Sequence, residues 1–316
     1  MKPPSNEVDQ FGFPIPPNFE GERTRTEGAR RVGRLVWRWG LVLVFVALLL
    51  SSALRSGAID YGKAAMAEAL LDRAERKLQI DDVEGALSDL NRAASWKPDD
   101  KTIRYRRAGV RLEVNDVEGS LDDYNKLMQM APHFTQGYLG RSMALQRLER
   151  HGEAIADLSR AVADRPDDPI RLNARAYARA IAGIELEEAM QDIEKALDLL
   201  GDDLGDRGGM DDTRAHFLDT RGYLHYLLGH YEPALDDLNE AIARQETCKH
   251  RVLNSPRLRA VDPRMLSRYR RSCDHALAVM YHHRGQVYQK QGDAEAAQAD
   301  LELGDKLGYN PAEGVY

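Results

Sequence analysis

The sequence predicts an all-α protein in which an array of about six helix pairs follows one apolar helix. Three observations lead to this prediction. Helix-favouring Ala, Leu, Glu, Arg and Asp dominate the 316 residues, whereas aromatic residues make up only 7%, which argues against a β-sandwich or a β-barrel. A sequence pattern recurs every 34 residues through most of the chain, and one apolar run without a charge lies near the N-terminus.

Composition and charge exclude several functional classes. A hydrophobic content of 43% is enough for a folded core, so the chain is not mainly disordered. The net charge of −7 and the isoelectric point near 5.8 argue against a dedicated nucleic-acid-binding protein. Only two cysteines are present, which excludes a disulfide-dense scaffold and a self-contained four-cysteine zinc site.

The apolar segment at residues 35–55 predicts a transmembrane helix that acts as a signal anchor. No charged residue lies between Trp39 and Leu54, and the run is close to the length needed to cross a bilayer. Basic residues accumulate before it, which predicts a cytoplasmic N-terminus and an extracytoplasmic remainder. The alternative is a signal peptide cleaved near Ser52 or Gly57, with secretion of the remainder. The arginines before the apolar run are Arg23, Arg25, Arg30, Arg31, Arg34 and Arg38.

The segments on either side of the anchor have simpler predictions. Residues 1–34 are proline-rich and lack helical or strand periodicity, so they are predicted to be a disordered cytoplasmic tail. Residues 56–66 are predicted to form a linker or the start of the first helix of the array. Residues 311–316 are predicted to be a short C-terminal tail.

The repeat is clearest where Val83–Pro98 recurs as Val117–Pro132. Each copy places a small residue, a large one and another small one on one face of a helix, and a proline then ends that helix. The small residues let a neighbouring helix approach closely. The large residues are Leu90, Tyr124, Leu158, Ile193, Leu238 and Leu301, and the small residues of the preceding helices are Ala74, Ala108, Ser142, Ala176, Gly222 and Gly285.

In this spacing the sequence resembles the tetratricopeptide repeat (TPR) family. The resemblance implies a right-handed α-solenoid of antiparallel helix pairs, in which the first helix of each pair lines a concave groove. It extends over residues 67–310. The predicted repeats are approximately 67–100, 101–134, 135–168, 169–202, 215–245 and 278–311.

Two insertions interrupt the predicted array. Residues 201–212 are acidic and glycine-rich, which is typical of a solvent-exposed loop. Residues 246–275 contain eight basic and three acidic residues. Asp262 and Pro263 provide an N-cap and a first helical position, so we expect a helix from Pro263 to about Gln291 that projects beyond the edge of the array.

The concave groove is the predicted functional site, and it is expected to bind a protein or peptide partner. Tyrosines with amide and charged side chains give the flat, amphipathic surface that is typical of protein interfaces. No phosphate loop, HExxH or GxSxG motif is present, so the protein is predicted to be non-catalytic, without a cofactor or a metal. The candidate groove residues are Tyr105, Arg106, Asn173, Tyr177, Asp219, Tyr223, Tyr226, His282 and Gln286.

A second hypothesis assigns function to the basic insertion. Arg264, Arg268 and Arg271 recur at helical spacing and could form one basic stripe. In this alternative the protein is a structural or assembly factor that contacts sister subunits or an anionic envelope polymer. Cys248 and Cys273 flank the insertion, so they form a disulfide if the domain is extracytoplasmic and stay separate core residues if it is not.

Overall fold

The computed structural model describes residues 39–52, 57–201, 213–255 and 263–310, and every regular element within these ranges is an α-helix. The all-α prediction is therefore confirmed for this part of the chain. The predicted tail at 1–34, residues 35–38 of the predicted anchor, most of the acidic loop and residues 311–316 lie outside the described residues. The chain divides into two compact units, Met1–Ala64 and Ala65–Tyr316.

In the first unit, residues 39–52 form helix α1. Its apolar side chains are exposed, among them Leu43 and Phe45. Among the helices of the described residues, none has both the length and the apolar character that a membrane crossing requires.

The second unit is an array of helices in consecutive antiparallel pairs. The first helices of the pairs also contact one another from α4 onward, so they form one layer and the second helices form another. The helices are α2 (Ala58–Gln79), α3 (Val83–Trp96), α4 (Lys101–Glu113), α5 (Val117–Met130), α6 (Gln136–Arg147), α7 (His151–Asp164), α8 (Pro169–Ala182), α9 (Leu186–Leu200), α10 (Thr213–Leu227), α11 (Tyr231–Asn254), α12 (Pro263–Gln291) and α13 (Ala294–Lys306).

Local sequence signals determine where these helices begin and end. Asp82 caps α3 by accepting a hydrogen bond from the backbone N–H of Gly85, and Asp116 caps α5 in the same way. Helix α8 ends at Gly183, whose φ of 66° lies in the left-handed region that glycine adopts without strain. These signals keep the turns within each pair short.

The small residues of the repeat pack where two helices of a pair meet. A Cβ atom on Gly222 would lie 2.8 Å from Cγ of Leu238, which is too close for any larger residue without a shift. Ala108 and Ala176 occupy the same position in other pairs and are fully buried. Close helix approach therefore depends on these positions, as the sequence pattern predicts.

An arginine–aspartate ion pair joins the two helices of every pair in the array. In each, the arginine Nε donates to the aspartate Oδ2 at 2.7 Å and Nη2 donates to Oδ1. All six aspartates are buried, so the carboxylates obtain in the interior the hydrogen bonds that burial requires. The pairs are Arg73–Asp89, Arg107–Asp123, Arg141–Asp157, Arg175–Asp192, Arg221–Asp237 and Arg284–Asp300.

Three of these arginines also connect neighbouring pairs. Arg141 Nη1 donates to Asn125 of the preceding second helix at 3.0 Å. The equivalent contacts run from Arg107 to Asn91 and from Arg284 to Asn239. These contacts connect the first helix pair to the second, the second to the third, and the fifth to the sixth.

The basic insertion forms a helical hairpin from the end of α11 and the start of α12. Helix α12 has the bounds that the sequence predicts. Its expected projection beyond the edge of the array is wrong, because the start of α12 contacts the first two helix pairs. Arg268 donates to the carbonyl of Leu78 at 2.8 Å and to the carboxylate of Glu113 at 2.9 Å. Arg271 donates to the carboxylate of Asp81. These contacts join the hairpin to the first and second helix pairs, and we call them the clasp.

Candidate functional site

A group of half-buried aromatic side chains lies on the first helices α10 and α12. Tyr223 stacks on Tyr226 with ring centroids 5.9 Å apart, and on His283 with centroids 4.1 Å apart. Helical spacing places Tyr223 and Tyr226 on one side of α10, and packing of α12 brings His283 against them. Burial raises the pKa of the Tyr223 hydroxyl to about 12, so this hydroxyl is uncharged at neutral pH.

Three predicted groove residues are interior rather than surface residues. Asn173 and Asp219 are fully buried and Tyr177 is 3% exposed. Asp219 accepts a hydrogen bond from Nδ1 of His283 at 2.9 Å when that nitrogen carries the proton. Their burial differs from the exposed groove face that was expected, because helical spacing identifies a face of each helix but not how deeply the next helix covers it. A role of these residues in partner binding stays a prediction.

Tyr105 and Arg106 lie apart from the aromatic group, on α4. Tyr105 packs edge-on against Tyr124 and Phe134, with ring centroids 6.1 and 5.4 Å away. Arg106 is exposed and its Nη2 lies 3.2 Å from the carboxylate of Glu75. The structure therefore assigns these two residues to the second helix pair and does not join them to the other candidates.

A small pocket of about 40 Å³ opens beside the aromatic group. Helices α8, α10 and α12 supply most of its walls, and the segment after α13 supplies the rest. Ile181 at this pocket is 39% exposed, so an apolar side chain is left uncovered. The pocket residues are Tyr177, Ile181, Tyr223, Val279, His282, His283, Gln286, Tyr309 and Asn310.

Two polar groups determine what this pocket accepts. The side-chain oxygen of Gln286 is buried and has no hydrogen-bond partner among the described residues. Such an oxygen costs free energy unless a water molecule or a ligand N–H reaches it. Burial and the neighbouring His283 lower the pKa of His282 to about 4. His282 is therefore a neutral ring at physiological pH.

Tyr309 is one of the pocket residues that sequence reasoning missed, and the others are Ile181, Val279, His283 and Asn310. Tyr309 follows the last helix, where the repeat pattern assigns no role, and its ring stacks on His282 with centroids 3.8 Å apart. The signal for it was faint, because Tyr309 is a lone aromatic residue after Gly308. The turn that directs the side chain towards the pocket has no repeat signature of its own.

The basic patch does not form a free stripe. Arg268 and Arg271 are engaged in the clasp, and Arg264 lies one turn earlier on the exposed end of α12. The three arginines lie on one helix, as expected, but Glu113 pairs with Arg268 and Asp81 pairs with Arg271. A binding role for this basic patch stays a prediction.

Cys248 and Cys273 are buried on α11 and α12 and form no disulfide in the structure. The hydroxyl of Tyr269 lies 3.5 Å from Sγ of Cys248 and also hydrogen-bonds to Cys273. The two thiols therefore share a neighbour within the hairpin. Among the described residues, no group of three or more His, Cys, Asp and Glu side chains is arranged to hold a metal ion.

The helix pair formed by α12 and α13 matches a known family. Residues 278–307 fit the model of the tetratricopeptide repeat. This match shows one tetratricopeptide repeat in the chain, at α12 and α13. The match includes His282, Gln286 and the Arg284–Asp300 ion pair, so part of the pocket is built on this repeat. No curated protein sequence matches the chain.

Solved structures show the same fold over most of the array. A TPR protein from Parabacteroides merdae has a TM-score of 0.51 at 14% identity, over 78% of this chain and 94% of its own. PilW, a type IV pilus biogenesis factor, has a TM-score of 0.54 at 15% identity, and the match covers 78% of this chain and 96% of PilW. A chain of the APC/C hetero-tetramer Cut9–Hcn1 has a TM-score of 0.56 at 15% identity, and the match covers 83% of this chain and 46% of that chain. These likenesses show the fold of the array, which is a TPR-type α-solenoid.

Proposed function

We propose that this protein is a non-catalytic scaffold that binds a segment of a protein partner in the groove formed by α8, α10 and α12. The observation that carries the proposal is the pocket beside Tyr223, His282 and Gln286. It combines stacked aromatic rings, an uncovered Ile181 and a buried amide oxygen that has no partner among the described residues. Apolar area with a few fixed polar groups is the usual composition of a recognition pocket.

The form of the pocket favours an extended segment as the ligand. A polypeptide supplies backbone N–H groups, one of which can satisfy the oxygen of Gln286. It also supplies side chains that cover Ile181 and the face of Tyr226, which lies at the outer end of the aromatic stack. The buried apolar area then supplies the affinity, and the hydrogen bond to the Gln286 side chain fixes the position of the segment along the groove.

The test replaces two half-buried residues, one in the aromatic group and one in the pocket. We expect the double variant Tyr226→Ala and Gln286→Leu to lose a partner that the native chain captures from detergent-solubilised membranes. Tyr61→Ala is the matched control, because Tyr61 is 79% exposed on α2 and does not line the pocket. Melting followed by circular dichroism checks that the variants fold. Retention of every captured protein by the double variant contradicts the proposed site.

We also propose that residues 35–55 anchor the protein in a membrane, with the N-terminus in the cytoplasm and the array outside it. The support is the uncharged run from Trp39 to Leu54 and the arginine-rich segment before it. The exposed apolar side chains along residues 39–52 are consistent with a lipid environment.

Fractionation and protease protection test the anchor. An anchored chain stays with the membrane after alkaline carbonate extraction, and protease added outside spheroplasts digests the array. Release of a shortened chain into the medium would support signal cleavage instead. An array that stays intact until the spheroplasts are lysed contradicts the proposed orientation.

A further inference from the structure

A tyrosine of the same chain lies against the groove pocket. Helix α13 ends at Lys306, and Gly308, with a φ of 88°, reverses the backbone after it. The backbone N–H of Tyr309 then donates to the carbonyl of Gly304 at 2.9 Å. A left-handed glycine followed by a hydrogen bond back to the helix fixes the direction of the next residue. Tyr309 is therefore held at the pocket by the end of the helix.

The contacts of the Tyr309 ring are those of a bound aromatic ligand. The ring is nearly parallel to His282, with an interplanar angle of 11° and centroids 3.8 Å apart. It also packs with Tyr177 and Val279, two buried residues of α8 and α12. Burial raises the pKa of its hydroxyl. The Tyr309 ring thus has one stacking partner, His282, and packs against two further buried side chains.

Tyr309 leaves part of the pocket unfilled. A space of about 40 Å³ remains, the side chain of Ile181 is still 39% exposed, and the oxygen of Gln286 still has no hydrogen-bond partner among the described residues. A ligand that only repeated the Tyr309 ring would leave these groups uncovered. A longer segment would cover both and would bury more apolar area.

We propose that the pocket is a receptor for an aromatic side chain within an extended protein segment, and that Tyr309 is its resident intramolecular occupant. The partner places a tyrosine or phenylalanine ring on His282, displaces Tyr309, and brings an N–H donor to Gln286. This inference rests on the proposed function and specifies the partner that the groove selects. Resident occupancy weakens binding, because the apparent dissociation constant equals the intrinsic one divided by the fraction of time that the pocket is empty.

The probe is a labelled peptide that copies residues 306–312, KLGYNPA, added to the full-length protein in detergent. Tyr309→Ala empties the pocket, so we expect this variant to bind the peptide roughly tenfold or more tightly than the native chain does. A peptide with phenylalanine at the tyrosine position is expected to bind, and a peptide with leucine there is expected to bind at least tenfold more weakly. Fluorescence anisotropy measures all three.

Two further variants keep the test independent of the folding of Tyr309→Ala. Ile181→Trp fills the uncovered part of the pocket and His282→Ala removes the stacking partner, so each is expected to reduce binding of the peptide. Equal binding of the leucine and tyrosine peptides, or no gain in Tyr309→Ala with an unchanged melting temperature, overturns the proposal. A partner that is still lost from the Tyr226 and Gln286 variant would leave the scaffold function standing.

Discussion

Arg107 and Asp123 are joined by two parallel hydrogen bonds, Nε to Oδ2 at 2.7 Å and Nη2 to Oδ1 at 2.6 Å, and the aspartate is fully buried. Arg104 and Arg111 also contact this carboxylate, at 3.2 and 2.8 Å. One interior negative charge therefore holds three guanidinium groups. Its removal would leave three cations close together without their shared partner.

We predict that Asp123→Asn lowers the free energy of unfolding by about 3–5 kcal/mol, the usual cost of breaking a buried ion pair from one side. Asp122→Asn is the matched control. Asp122 is the adjacent residue, but it is exposed and pairs with Lys126 one turn away, so its replacement is expected to change stability by less than about 0.5 kcal/mol. Urea unfolding of both variants measures the difference, and equal effects would contradict the interior role.

The Asp89 carboxylate makes acid stability a second test. Hydrogen bonding from Arg73, with Lys77 nearby, lowers the pKa of Asp89 from 3.8 to about 2. A lowered pKa in the folded state stabilises the protein above pH 4, and this contribution of about 2 kcal/mol is lost as the pH falls towards 2. We expect Asp89→Asn to flatten the decline in melting temperature between pH 4 and pH 2. An unchanged slope would show that Asp89 does not titrate as described.

The clasp predicts a specific response to charge reversal. Replacing Arg268 and Arg271 by glutamate places acids beside Asp81 and Glu113, so we expect faster hydrogen exchange at the start of α12 and a loss of about 1–2 kcal/mol in stability. Arg270→Glu is the control, because Arg270 is exposed on the same helix and belongs to no clasp contact.

A charge swap checks that the clasp contacts themselves are responsible. Adding Asp81→Arg and Glu113→Arg to the glutamate variant restores opposite charges and is expected to recover the slow exchange. If the swapped protein exchanges as fast as the glutamate variant, the contacts do not hold the hairpin.

The cysteine pair gives a prediction about oxidation. A disulfide between Cys248 and Cys273 closes a loop of 24 intervening residues and is expected to stabilise the oxidised chain by roughly 3 kcal/mol. An extracytoplasmic array would carry this bond, and a cytoplasmic one would not. Peptide mapping without reductant, on protein alkylated during cell lysis, distinguishes the two. Two alkylated cysteines in the isolated protein would contradict the bond.

The sequence predicts the helix pairs because each repeat specifies its own packing locally. Small and large residues at fixed spacing determine which helix faces meet, as at Gly222 and Leu238. The same spacing contains a signal that the packing analysis missed. In every pair an arginine precedes the small residue of the first helix and an aspartate precedes the large residue of the second. A comparison of the charged residues at equivalent positions of the six repeats would have predicted the ion pairs.

The remaining features depend on contacts that no local pattern records. Asn173 and Asp219 occupy the predicted groove face, but the packing of adjacent first helices buries them. Tyr309 reaches the pocket through a turn outside the repeats. The clasp joins residues that lie 190 positions apart, and helical periodicity carries no information at that range.

The clasp also changes how the array should unfold. In an open repeat array each unit contacts only its neighbours, so the terminal units fray first and stability is nearly a sum over units. Here Arg268 ties the last pair's long helix to the carbonyl of Leu78 in the first. Fraying of either end must break contacts made by the other. The closed array is therefore expected to melt more cooperatively than an open solenoid, and its final contact should form late in folding because a long loop must close first.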